Sequence, residues 1–161
     1  ARDFGACMSP HTAFLILQGL ETLSLRMEKH ISNTREIVSF LNEHKEVKSV
    51  SYPELENHPD NKLAQEILPR GCGAVFTFEI EGGLESGKKF IESLNIFSHL
   101  ANVGDAKSLV IHPASTTHHR MDTLALKNAG ISESTVRLSI GIEDINDLKE
   151  DLDEALKQAN R

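Results

Sequence analysis

Ser134-Thr135-Val136-Arg137-Leu138-Ser139-Ile140-Gly141-Ile142-Glu143-Asp144 decides how the rest of this chain is arranged. Val136, Leu138 and Ile140 alternate with Arg137, Ser139 and Gly141, the two-residue period of a strand with one apolar face. A strand is therefore predicted over 135–142. Asp144 follows at once as a helix cap, with Asp147 three residues on to favour the positive end of the helix dipole. Leu148, Leu152, Ala155 and Leu156 then recur at helical spacing. A strand that buries one face thus runs directly into a helix that buries one stripe, and Arg137 is left pointing away from the core.

The residues before this unit supply the remaining layers. Ser9-Pro10 marks a helix start, because Ser can cap free amides and Pro at the first helical position loses no hydrogen bond. Ile16, Leu20, Leu23, Met27, Ile31, Val38 and Leu41 follow at three- and four-residue steps, interrupted only near Thr34. One long helix over 9–43 is predicted, and Gly19 within it suggests close backbone packing at a joint between domains. Val47 to Tyr52 reads as a short strand closed by Pro53, and a short helix follows over 61–68. Pro69 to Gly73 breaks the chain. Ala74 to Ile80 alternates as a half-buried strand, Gly82-Gly83 turns it, and 84–94 reads as a helix with Phe90, Ile91 and Leu94 inward. Ser108 to His112 supplies another strand. The expected fold is α/β (α+β), a small, mostly antiparallel sheet covered by helices. Residues 1–161 read as a single domain: a long joining helix at 9–43, then a sheet-and-helix layer at 44–161.

Composition narrows the function. The 161 residues are 39% hydrophobic and 25% charged, enough to bury a core and too apolar for disorder. The formal charge of −7, with scattered lysines and arginines, argues against nucleic acid as a partner. The longest apolar run, Ala13 to Leu17, is far short of the roughly 20 residues that cross a bilayer, so no membrane partner and a cytoplasmic location are expected. Cys7 and Cys72 lack CxxC spacing and read as free thiols. The chain begins at Ala1 without an initiator Met, which reads as a fragment or processed product.

Arg137 carries the chemistry. Its guanidinium is a planar fork of donors that matches a carboxylate, which a lysine ammonium cannot do. On composition alone, the ordinary reading of such a residue is a surface or ion-paired arginine.

A resemblance adds to that reading. Ser9-Pro10, Gln18 to Leu23, Arg26-Met27, His30 and Asn33, then Tyr52-Pro53, Asn57-His58-Pro59, Gly71 to Phe78, Asn102 to His118, and Gly130-Ile131 through Asp151-Leu152 keep their order and spacing. Together, from Phe4 to Leu156, they resemble the C-terminal domain of the trans-sulfuration family of pyridoxal-phosphate enzymes, of the fold type I, aspartate aminotransferase-like class. The resemblance implies that Arg137 holds the substrate α-carboxylate, and that Asn102, standing where relatives carry a serine, frames the carboxylate and the cofactor edge. Asn102-Val103-Gly104-Asp105 with Lys107-Ser108 is similar to the sulfhydrylase branch. The implied reaction replaces the acyl group of O-acetylhomoserine with sulfide or a thiol. Family members are generally homotetramers, so a homo-oligomer is implied.

The lysine that carries pyridoxal phosphate in this family has no counterpart here, since none of Lys29, Lys88, Lys107 or Lys127 follows the Ser-x-Thr-type step. No catalytic residue is assigned to this chain, and the cofactor is expected to be held mainly by an upstream domain that the chain lacks. Cystathionine γ-synthase or methionine γ-lyase is the alternative within the family. A noncatalytic module working through oligomer contacts is the alternative of another class. His112, His118 and His119 lack metal-ligand spacing, so no metal is expected. Ser115 to His118 reads as a loop that caps its own backbone, which the resemblance implies lies near the active-site mouth. The acidic run from Glu143 to Glu154 reads as a solvated helix face.

Overall fold

The computed structural model describes residue 5 and residues 7–159; Ala1 and Phe4, where the sequence reading begins, lie outside the described residues. Among the described residues six α-helices and five strands follow in the order α1 (Pro10–Glu21), α2 (Leu23–Asn42), β1 (Val47–Ser51), α3 (Asn61–Ile67), β2 (Val75–Ile80), α4 (Gly83–Ser93), β3 (Ser98–His99), β4 (Leu109–Ile111), α5 (Thr123–Asn128), β5 (Thr135–Ser139) and α6 (Ile145–Ala159). The strands form one sheet in the order β1-β2-β5-β4-β3. All neighbours are antiparallel except the two-residue pairing of β3 with β4. The predicted small, mostly antiparallel sheet is therefore the one that forms.

β5 lies at the centre of this sheet, and its pleat divides the molecule. Val136, Leu138 and Ile140 are wholly buried, joined by Phe76, Phe78 and Ile80 of β2. Onto this face pack Ile37, Val38 and Leu41 of α2, Phe90 and Ile91 of α4, and Leu148, Leu152, Ala155 and Leu156 of α6. Phe90 meets Phe78 edge-on, with ring centroids 5.7 Å apart, a favoured geometry for aromatic pairs. The inward residues foreseen for the last helix are all buried.

The long N-terminal helix differs from expectation. It is two helices, separated at Thr22. Gly19 weakens the helix just before the break, and the Arg26 guanidinium donates to the Gly19 carbonyl at 2.6 Å, satisfying a group near the end of α1. Nor is the apolar stripe buried throughout. No residue of α1 is buried, whereas α2 buries His30, Asn33 and Thr34 ahead of Ile37, Val38 and Leu41. Thr34 donates to the His30 carbonyl at 2.7 Å within the helix, and the other two find partners outside it. The chain after β5 leaves the sheet with unpaired carbonyls, and His30 Nδ1 donates to Ile140 O at 2.6 Å while Asn33 Nδ2 donates to Gly141 O and Glu143 O at 3.1 and 3.0 Å.

Three short elements were not foreseen. β3 has two residues and α5 six, too short for a periodic signal, although Asp122 does cap α5 by accepting from Ala125 N at 2.8 Å. The third is a 3₁₀ turn over Pro113–Ser115, in which Ser115 and Thr116 hydroxyls return to His112; this stretch was read as a self-capping loop. No helix among the described residues is long and apolar enough to cross a membrane.

Burial ranks the leucines sharply. Leu152→Ala, at a position with no exposure, should lower the unfolding free energy by about 2–5 kcal/mol, whereas Leu124→Ala, 69% exposed, should cost under about 0.5 kcal/mol. Urea unfolding followed by circular dichroism measures both.

Candidate substrate-binding site

The face of the sheet turned away from the helices carries the residues that β5 does not bury in the core. Arg137 stands opposite Thr77 of β2 on one side and Ile111 of β4 on the other, so Thr77, Arg137 and Ile111 form a row across three strands. Its neighbours on this face are covered: Thr135 and Ser139 are buried, as are Leu109 and Ile111. Sequence alternation alone would have left Ser139 open. Arg137 stays half-exposed.

Arg137 and Asn102 are brought together. Arg137 Nη2 donates to the Asn102 carbonyl at 3.3 Å. The contact is made by the Asn102 backbone, since its side-chain oxygen accepts from Val103 N at 2.9 Å. Among the described residues no carboxylate pairs with Arg137. A guanidinium offers five N–H groups in a fixed plane, and one carbonyl occupies only part of that fork. Among the described residues nothing else takes up the remainder.

Other clusters serve the fold. Glu54 accepts from Arg35 Nε at 2.6 Å, from the Cys72 amide at 2.8 Å and from the Tyr52 hydroxyl at 3.2 Å. The cost of burying the carboxyl is outweighed by these donors, which hold Glu54 below the usual carboxylate range, while burial and the adjacent Glu54 push the Tyr52 phenol well up. Sequence reading missed this knot because its members are far apart in the chain. His112, fully buried at the end of β4, meets Ser115 Oγ through Nδ1 at 2.9 Å and Glu133 O through Nε2 at 2.8 Å. A carbonyl can only accept, so Nε2 carries the proton. Among the described residues no group of histidines, cysteines or carboxylates could hold a metal.

The chain belongs to the Cys/Met metabolism PLP-dependent enzyme family, whose sequence pattern matches residues 1–157. It is 49% identical over 157 residues to an O-acetyl-L-homoserine sulfhydrylase of Leptospira meyeri, covering 97% of this chain and 36% of that protein. A crystal structure of cystathionine γ-synthase from Xanthomonas oryzae in complex with cystathionine superimposes with a TM-score of 0.87 at 40% identity, over 98% of this chain and 41% of that one. A Campylobacter jejuni structure, provisionally described as an O-acetylhomoserine (thiol)-lyase and carrying N'-pyridoxyl-lysine-5'-monophosphate, also gives 0.87, at 41% identity over 97% of this chain and 37% of that one. The chain thus spans well under half the length of these relatives.

Pyridoxal phosphate belongs to this family, yet among the described residues the lysines do not form its cradle. Lys29 and Lys107 are exposed, and Lys88 pairs with Glu85 at 2.8 Å. Lys127 borders a cavity of about 500 Å³, but Glu79 and Glu133 line it too, where a phosphate would need donors.

Burial lowers the pKa of His112 from its ordinary 6.5, so the folded chain binds this proton less readily than the unfolded chain. Stability from this source is complete above pH 6.5 and is lost as the pH falls below it. The stability gap between the wild type and His112→Gln should therefore narrow from pH 7.5 to 5.5, as read from urea midpoints.

Proposed function

We propose that this chain is the substrate-carboxylate half of a pyridoxal-phosphate-dependent O-acetylhomoserine sulfhydrylase, in which sulfide or a thiol replaces the acetyl group. The observation that carries the reading is Arg137: central in the sheet, turned out of the core, touched by the Asn102 carbonyl and free of any carboxylate partner among the described residues. Family membership and 49% identity to a sulfhydrylase support the reaction class. The 40% identity to a cystathionine γ-synthase keeps γ-synthase chemistry as the second reading.

In this account the chain binds and orients. Arg137 takes the α-carboxylate through the free part of its fork, and the Asn102 carbonyl fixes the plane of the guanidinium, so the rest of the substrate is aimed at the reacting centre. Pyridoxal phosphate supplies the electron sink, held by polypeptide outside this chain.

α1 serves the joint to that polypeptide. Phe14, Leu15, Ile16, Leu17 and Leu20 are each at least 47% exposed, a contiguous apolar surface that a larger protein covers. A homo-oligomer is part of the same proposal.

Steady-state kinetics of the complete, cofactor-loaded protein test the reading. Loss of a charge-assisted hydrogen-bond pair in Arg137→Ala should raise the KM for O-acetylhomoserine about 10- to 100-fold. An unchanged KM and kcat would remove Arg137 from the carboxylate site. Comparing acetylated with succinylated homoserine, and sulfide with cysteine, separates the sulfhydrylase from the γ-synthase.

A further inference from the structure

The Asn102 carbonyl reaches Arg137 from the tip of the loop that joins β3 to β4. That tip has little to hold it. Ala101, Asn102, Val103 and Gly104 are all exposed, and Val103 is 70% exposed. What gives the tip a fixed height over Arg137 is the base of the loop, where one carboxylate joins backbone bonds in fastening it.

Glu143 turns its side chain back from the start of α6 onto Ser108. One oxygen accepts from Ser108 N at 2.6 Å and the other from Ser108 Oγ at 2.9 Å. The same hydroxyl accepts from Gly141 N at 2.8 Å, so its single donor and one of its two acceptor sites are used. Beside this, Ile142 N donates to Ala106 O at 3.0 Å, and Asp105 accepts from Lys107 N at 3.1 Å. The return limb of the loop, 105–108, is thereby stitched to 141–143, the segment that leaves β5 just past Arg137. No side chain is possible at 141, because a Cβ there would run into the Glu143 carboxylate and the Ala106 carbonyl.

Glu143 is not needed as the helix cap. Asp144 does that, accepting from Asn146 N at 2.8 Å through its side chain. Ser108 is fully buried, so the bonds it makes to Glu143 are shielded from competing water.

We infer that Glu143 is a positioning residue for the carboxylate site, fixing the loop whose Asn102 carbonyl orients Arg137. The inference rests on the reading of Arg137 as the carboxylate-holding group. Glutamine at 143 keeps the shape but has a single acceptor oxygen, so one Ser108 donor faces an amide NH₂ and the loop base loosens.

In the complete, cofactor-loaded protein, Glu143→Gln should raise the KM for the amino-acid substrate about fivefold with kcat within about twofold, since orientation at the carboxylate is what loosens. A positioning role also sets the response in a second background. Where Arg137 is already alanine, Glu143→Gln should leave KM unchanged, whereas a merely structural effect would multiply with it. Ser108→Ala removes the hydroxyl relay and keeps the amide bond, and should give the same pattern if Glu143→Gln does not fold. An effect of equal size with and without Arg137 overturns the inference. So does an unchanged KM in Glu143→Gln and Ser108→Ala when Arg137→Ala raises it, and then the carboxylate reading stands. If Arg137→Ala itself leaves KM unchanged, the carboxylate reading fails and takes this inference with it.

Discussion

The pleat of β5 is the constraint on which the rest of the structure depends. Side chains on a strand alternate between faces, so burying Val136, Leu138 and Ile140 against α2, α4 and α6 obliges Arg137 to project from the other side. A shift of register by one residue would drive the arginine into the core and expose three large apolar side chains. The pairing of β5 with β2 and β4 is thus held by the hydrophobic effect, and the position of the guanidinium follows from it.

Where regular structure ends, carboxylates take over. Asp151, buried on α6, accepts from the amides of Asn95 and Ile96 at 2.8 and 2.9 Å and fixes the turn between α4 and β3. Glu54 does the same for the segment around Cys72, and Glu143 for the loop that reaches Arg137. Buried or half-buried amides outside a ladder need acceptors, and an ionised carboxylate can serve two or three at once. Three acidic residues that look like ordinary surface charge in sequence therefore set the shape of three loops.

Much of the fold was legible because it rests on period. The strands at 47–51, 75–80 and 135–139 and the helices at 61–67, 83–93 and 145–159 follow the alternation of apolar residues, with Ser9-Pro10 and Asp144 marking starts. The break at Thr22 was hidden, since Leu20 and Leu23 continue the helical spacing across it. The burial of His30 and Asn33 was hidden too, because it depends on carbonyls more than a hundred residues away. At the site, Arg137 stood out by its place in the alternation, and its proximity to Asn102 came from the family resemblance. Glu143 had no local signal: it sits in an acidic run that reads as a solvated helix face, which holds for Asp144, Asp147, Glu150 and Glu154 but not for buried Asp151, and only the return of the chain past Ser108 gives Glu143 its partner.

The chain spans 36% of a related sulfhydrylase, and the proposed reading gives it the substrate-carboxylate part of the reaction site. The most direct measurement is a crystal structure of the complete, cofactor-loaded protein with an amino-acid substrate or inhibitor bound. The account predicts both carboxylate oxygens within about 3 Å of the Arg137 guanidinium, with the Asn102 carbonyl still bonded to it. A carboxylate held by other groups, with Arg137 facing solvent or paired to a protein carboxylate, would contradict it.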